Sequence, residues 1–235
     1  MINEIKVNEL TLKVFLLKDI QITESLEKIS DLIDKCLAKD KKFLEFHKSN
    51  KFKNYTYNSF FPVERSSKVY KEGNIYSIKI RTIDEELASY FKKNLGNEYT
   101  EYIKSLTIQD KMISKRHIEK IYSITSVVIK TDNGYWKGNL SLDQFEKRLK
   151  ENLIKKYNNY FNTKINEEFQ LFNMISFDNV KPISCKYKSV SLLGDKLTLN
   201  IAENETAQRL AYLAIGTGLG EMNSRGYGFV NYRWL

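Results

Sequence analysis

The sequence predicts an α+β fold made of two ferredoxin-like (RRM-like) units in tandem. Each half of the chain reads in the order strand, helix, two strands, helix, strand, which is the order of the ferredoxin-like unit. The length of 235 residues fits two such units. No low-complexity linker separates the halves. We therefore expect an N-terminal unit at residues 1–125 that packs directly on a C-terminal unit at residues 126–235.

The first half carries the expected patterns in order. Its first strand is predicted by apolar residues at alternate positions, namely Leu10, Leu12, Val14 and Leu16. Apolar residues at helical spacing predict a helix at 23–39, and strands are expected at 55–63 and 74–82. Thr82 and Glu85 have the spacing of a capping box, so a second helix should begin there and end near Gly96. A polar, basic stretch between the first helix and the second strand predicts a loop.

The second half repeats this order. Its first strand is expected at 126–131, and Ser141 with Gln144 gives a second capping-box signature ahead of a long helix. The remaining expected elements are a hairpin at 180–201 that turns near Gly194-Asp195, a short helix capped by Asn204, and a final strand at 229–234.

Charge and cysteine content limit the function. The chain has 38 Lys and Arg against 29 Asp and Glu, a net charge of +9, which favours nucleic acid first and an anionic membrane second as partner. Cys36 and Cys185 are the only cysteines, so a zinc knuckle, an iron–sulfur site and a disulfide framework are excluded. With no signal peptide and no long apolar run, we expect a soluble cytoplasmic protein without membrane partner, metal or cofactor.

Glycine is concentrated near the C-terminus, where five of the ten glycines lie within residues 216–228. Exposed backbone N–H groups of such a segment can form an anion-binding concavity, and an arginine fork suits phosphate. Glu221 replaces the third glycine of a dinucleotide fingerprint, and the strand and helix stand in the reverse order. The segment is thus predicted to contact a phosphate backbone through Gly216, Gly218, Gly220, Arg225, Gly226 and Gly228; a tight turn without ligand is the alternative.

The two histidines are the candidates for acid–base chemistry near neutral pH. His47 lies in a basic surrounding of Lys48, Lys51 and Lys53. Nearby cations should lower its pKa and favour the neutral form that can act as a base, although an idle loop histidine is an equal alternative. His117 follows Lys-Arg and is expected to belong to a basic surface.

Two motifs together resemble one family. The C-terminus reads G-x-G-x-G-x(5)-G-x-G-F-V, and His47 is followed six residues later by Lys-x-aromatic-Thr-aromatic, at 53–57. This combination resembles the CRISPR repeat-processing endoribonucleases of the RAMP superfamily. The resemblance implies metal-free cleavage of precursor CRISPR RNA that leaves a 2′,3′-cyclic phosphate and a 5′-hydroxyl. It also implies that His47 and Lys53 are catalytic and that the glycine segment shapes the RNA site.

The family often adds a catalytic tyrosine from the first helix, and this chain has no tyrosine before Tyr55. The third catalytic group is therefore absent, replaced, or supplied by Tyr55 or Lys51. RNA binding is also expected at Lys51 and Tyr55, and at basic residues on polar strand faces, namely Lys79, Arg81 and Lys186.

Two other interpretations stay open. The first is a catalytically inactive RAMP subunit that holds repeat RNA beside the other subunits of an effector complex. The second is an RNA-recognition module, because residues 225–230 match the outline of an RNP motif. That match lies in the last loop and strand rather than on a central strand. A second copy of the chain is a further conceivable partner.

Overall fold

The computed structural model describes residues 4–49, 51–188 and 190–235. The elements of the N-terminal half are β1 (Val7–Leu16), β2 (Ile20–Gln21), α1 (Ser25–Leu37), α2 (Lys41–Lys48), β3 (Tyr55–Tyr57), β4 (Val69–Tyr70), β5 (Ile75–Thr82), α3 (Glu85–Asn94) and β6 (Ile103–Ile113). Those of the C-terminal half are β7 (Ile118–Ser123), α4 (Leu142–Phe161), β8 (Phe172–Phe177), β9 (Ile183–Tyr187), β10 (Val190–Gly194), β11 (Leu197–Ile201), α5 (Glu205–Thr217) and β12 (Val230–Trp234).

Two antiparallel four-stranded sheets form the framework. Their strand orders are β3-β5-β1-β6 and β12-β7-β11-β8. In the first sheet β1 lies between β5 and β6, and in the second sheet β7 lies between β11 and β12. The strand that begins each half thus lies between the last two strands of that half, as in a ferredoxin-like unit. The expected α+β fold with two ferredoxin-like units is thereby confirmed. The division at residue 125 stays a prediction.

Helix α5 lies where the two halves meet. Every residue from Leu210 to Thr217 is buried, so no face of this segment is left for solvent. Gly216 belongs to this helix and not to the loop that follows. A Cβ at Gly216 would press on Ile83 and Val7 of the first unit, 2.7 and 3.1 Å away. This glycine therefore permits close packing of the helix instead of contacting RNA as expected.

Arg81 joins the two sheets through a buried network. Its side chain is 2% exposed. It donates to Glu9 Oε2 at 2.8 Å, to the Val230 carbonyl at 2.6 Å and to Asn231 Oδ1 at 2.9 Å. Each nitrogen of the Arg81 guanidinium thus donates inside the protein. Arg81 therefore does not line an open groove, which differs from the prediction. Lys79 lies at the edge of the same network, with its ammonium 3.3 Å from Glu9 Oε1.

Several local expectations differ from the structure. The segment expected to be a loop after α1 contains helix α2. Helix α3 is capped by Asp84, which accepts from the Leu87 amide, and not by Thr82. The capping box of Ser141 and Gln144 is present as predicted.

The strand expected at 126–131 is also misplaced. The structure has β7 at Ile118–Ser123, and Val127 and Val128 form only isolated bridges. The hairpin of β9 and β10 exists, but it connects Tyr187 to Val190, which pair with each other, so the turn predicted at Gly194-Asp195 is wrong. Among the described residues, no helix has the length and apolar character to cross a bilayer.

Candidate active site

Helix α2 forms because side chains hydrogen-bond to the backbone groups at both of its ends, and because one of its faces is apolar. The Asp40 carboxylate accepts from the amides of Lys42 and Phe43, at 2.9 and 3.1 Å. Phe43 is buried against Tyr90, with ring centroids 4.3 Å apart. The helix therefore holds His47, in its last turn, in a defined position instead of leaving it in a mobile loop.

Lys53 closes the C-terminal end of the same helix. Its ammonium donates to the Ser49 carbonyl at 2.5 Å, to Ser49 Oγ at 3.2 Å and to the Phe46 carbonyl. Cations suit a helix C-terminus, where carbonyl groups lack partners. Burial lowers the pKa of Lys53, and the charge of Arg225 lowers it further. Lys53 thus lies beside the helix that carries His47, and its ammonium is engaged with the end of that helix.

His47 lies between a carboxylate and a guanidinium. Its Nδ1 is 3.5 Å from Asp34 Oδ1 of α1, and its Nε2 is 3.4 Å from a terminal nitrogen of Arg225. Burial is the largest cause that lowers the pKa of His47; Arg225 and Lys53 also lower it, and Asp34 opposes them. The lowered pKa of His47 agrees with the sequence prediction, but burial lowers this pKa more than the neighbouring lysines do.

Arg225 is anchored on helix α1. Its other terminal nitrogen donates to Ser30 Oγ at 2.5 Å and to Asp34 Oδ2. The guanidinium also lies 5.9 Å from the ring centre of Tyr187, on the β9–β10 hairpin. One half of the arginine fork is therefore fixed, and the other half faces His47.

The glycine segment folds into a compact buried loop. Gly226 and Gly228 have φ values of +84° and +68°, in the region that glycine tolerates best. A Cβ at Gly226 would be 2.7 Å from the Tyr57 ring, and one at Gly228 would overlap the Leu219 carbonyl. These glycines let the chain pass close to its neighbours and so position Arg225.

Lys156 of α4 hydrogen-bonds to this loop from the interior of the protein. Its ammonium donates to the carbonyls of Gly218 and Gly220, at 2.8 and 3.0 Å, and to Asn223 Oδ1 at 2.6 Å. Burial lowers the pKa of Lys156 to about 7, and Glu221 opposes this shift. Sequence reasoning missed Lys156. The signal was present, because Lys156 falls seven residues after Leu149 on the apolar face of the helix.

A basic cleft of about 390 Å³ opens beside this loop. It is bordered by the segment after α2, by α4 and by the glycine loop. The lysines along it are Lys51, Lys53, Lys130 and the buried Lys156, and Glu221 is the acidic residue of its lining. His47 does not line the cleft. Two lining residues are close to its surroundings: Lys53 binds the end of helix α2, and Ser224 directly precedes Arg225 in the chain. The arrangement suits a negatively charged chain that passes His47.

The other predicted site residues lie in different surroundings. Tyr55 borders the cleft, but it is only 1% exposed and its hydroxyl is shielded from solvent. Burial raises the pKa of this hydroxyl. Lys186 is exposed on the β9–β10 hairpin and pairs with Glu24 at 2.8 Å. Lys51 is exposed at the cleft. Lys79 and Arg81 belong to the Glu9 network and not to the His47 surroundings.

Comparison with known proteins agrees with these features. The curated CRISPR-associated endoribonuclease Cas6 2 of Methanocaldococcus jannaschii is 27% identical over 218 residues, which cover 83% of this chain and 87% of that protein. A solved structure described as a RAMP protein binding different RNA substrates superimposes with a TM-score of 0.73 at 16% identity, over 96% of this chain and 99% of the other. A Cas6-related protein from Pyrococcus furiosus gives a TM-score of 0.68 at 15% identity, over 97% and 98%.

These two structural likenesses concern the fold alone. The sequence carries the assignment further, because the family model described as CRISPR associated protein Cas6, C-terminal, matches residues 108–232. That match includes the glycine loop and Arg225 and spans more than half of the chain. The chain therefore belongs to the CRISPR-associated Cas6 family of RNA endonucleases.

Proposed function

We propose that this protein cleaves CRISPR repeat RNA without a metal ion, by attack of the 2′-hydroxyl on the adjacent phosphate. The products are a 2′,3′-cyclic phosphate and a 5′-hydroxyl. The proposal rests on one observation above all: the Nε2 of His47 and a guanidinium nitrogen of Arg225 are 3.4 Å apart. A phosphate placed at this point would meet a proton acceptor and a cationic donor together.

His47 acts as the base in this scheme. Its lowered pKa leaves most of the imidazole neutral at pH 7, which is the form that accepts a proton. His47 takes the 2′-hydroxyl proton while the 2′-oxygen forms a bond to phosphorus. The bond from phosphorus to the 5′-oxygen then breaks, and the leaving oxygen receives a proton from solvent or from the imidazolium.

Two cations stabilise the charge that develops on the phosphate. The half of the Arg225 fork that faces His47 donates to a non-bridging oxygen, while its other half stays on Asp34 and Ser30. Lys53 keeps the end of α2 in place and adds positive charge at the near end of the cleft. Preorganised cations of this kind are effective because they need no rearrangement as charge develops.

RNA on either side of the cut follows the basic cleft. Lys51 and Lys130 lie along it, and backbone phosphates provide most of the affinity in such contacts. Lys186 extends the basic surface on the hairpin next to Arg225. We expect binding to weaken steeply as salt rises.

The test is a cleavage assay in excess EDTA with labelled repeat RNA. A second substrate carries a 2′-deoxy nucleotide at the cut, and an unrelated hairpin serves as control. The proposal predicts one cut in the first substrate only, with a cyclic phosphate at the new 3′ end. Binding without a cut would instead favour the inactive RAMP subunit, and cleavage of the deoxy substrate would exclude 2′-hydroxyl attack.

A further inference from the structure

The catalytic histidine of the proposed reaction faces a carboxylate that the sequence did not single out. Asp34 is on α1, one turn after Ser30, and its Oδ1 lies 3.5 Å from His47 Nδ1. Neither atom has a hydrogen-bond partner among the described residues, and both are shielded from solvent. Leaving two such shielded polar atoms unpaired is unfavourable. A slight approach would satisfy both atoms, with Nδ1 as donor and the carboxylate oxygen as acceptor.

The remaining contacts of Asp34 support this pairing. Its second oxygen, Oδ2, accepts from Arg225, so the carboxylate is held with Oδ1 towards the imidazole. On the opposite side of the ring, an arginine nitrogen faces Nε2. Because a guanidinium can only donate, Nε2 must carry the lone pair in this arrangement. The proton of the neutral ring is then on Nδ1, towards Asp34.

We propose that Asp34 is the positioning residue of His47: it fixes the imidazole with the proton on Nδ1 and thereby presents Nε2 to the RNA. The inference rests on the proposed function for its catalytic meaning. Asp34 acts through His47 and does not touch the substrate itself.

Asp34 also stabilises the imidazolium that forms when His47 takes a proton. Its charge works against burial and against Arg225 and Lys53, the cations that lower the pKa of His47. Arg225 comes from the glycine loop, and Lys53 from the segment after α2. Replacing Asp34 by asparagine removes this counter-charge and keeps the shape and an acceptor oxygen.

The first experiment needs no RNA. The chain has two histidines, so proton and nitrogen NMR can follow His47 with His117 as an internal reference. In the unaltered protein we expect neutral His47 to carry its proton on Nδ1. In Asp34→Asn we expect the His47 titration to move to lower pH by about one unit. Asp31→Asn is the matched control, because it removes the same charge from the same helix at an exposed position.

A neutral His47 protonated on Nε2 in the unaltered protein would overturn the inference, even if no variant folds. The same conclusion follows if Asp34→Asn and Asp31→Asn shift His47 equally. In the RNA assay, Asp34→Asn should lower the single-turnover rate about tenfold or more. If the unaltered protein does not cut RNA, the proposed function fails, while the NMR result still decides the pairing.

Discussion

The ammonium of Lys156 and the side-chain oxygen of Asn223 are 2.6 Å apart in the interior of the protein. Asn223 in turn donates from its amide to the carbonyls of Leu219 and Tyr227, at 3.0 and 2.9 Å. This pair thus connects helix α4 to both sides of the glycine loop. The position of Arg225, two residues after Asn223, depends on a lysine that lies far from it in sequence.

Stability should depend on pH through Lys156. Its pKa falls from 10.5 to about 7 in the folded chain. Between these values the unfolded chain binds more protons than the folded chain, so the free energy of unfolding rises with pH. We expect the difference in this free energy between the unaltered protein and Lys156→Met to grow by about 2 kcal/mol from pH 7 to pH 9. Urea unfolding at the two pH values measures it; an unchanged difference would contradict the lowered pKa.

His47→Ala should abolish cleavage and spare binding. Loss of a general base typically reduces the rate by about 10²–10⁴-fold, while the lysines of the cleft still hold the phosphates. Single-turnover cleavage and a filter-binding assay on the same preparation separate the two effects. His117→Ala is the control and should cut at the normal rate. A His47→Ala protein that cuts normally would refute the catalytic assignment.

Gly228→Ala should disrupt the loop far more than Gly73→Ala. Both glycines have positive φ, +68° and +81°, so both substitutions carry a similar backbone strain. A Cβ at Gly73 meets open space, whereas one at Gly228 would overlap the Leu219 carbonyl. We expect Gly228→Ala to lower the free energy of unfolding by about 1–3 kcal/mol more than Gly73→Ala does. Thermal unfolding of the two variants measures this difference. Equal losses would mean that the close approach is easily relaxed.

Glu9→Gln should weaken the junction of the two sheets. The glutamate is 2% exposed. Burial raises its pKa, but Arg81 with Lys79 and Lys111 outweighs this and keeps the pKa below its usual value. The variant leaves Arg81 buried without its counter-charge, which lowers the free energy of unfolding by about 3 kcal/mol. Glu119→Gln, which breaks an exposed pair with Arg233, should cost about 1 kcal/mol or less. Comparable losses from the two variants would contradict the role of the buried network.

Much of the framework could be predicted because it follows from local patterns. The alternation in Leu10, Leu12 and Val14 and the capping box at Ser141 each depend on neighbours in sequence. Gly194 was misinterpreted as a turn residue because glycine has a second use. A Cβ there would lie 2.5 Å from the Val127 carbonyl, so the glycine permits the close approach of another segment. Sequence patterns do not distinguish these two uses.

The site was predicted only in part, for a similar reason. His47, Lys53 and Arg225 stand out through motif and charge, and the structure brings them together. Asp34 could not be found, because one acidic residue on a charged helix gives no sign of what it faces. Arg81 was misplaced because a polar position in a strand pattern does not reveal that another sheet covers it. Both errors concern contacts between distant parts of the chain.

The distance in sequence between His47 and Arg225 has a consequence for synthesis. As the chain leaves the ribosome, helices α1 and α2 emerge long before the loop that anchors on them. Until residue 225 has been added, Asp34 and His47 lack the guanidinium that contacts both of them in the finished protein. A chain whose translation stops before residue 225 therefore carries His47 without Arg225 beside it. We expect such fragments not to cleave RNA.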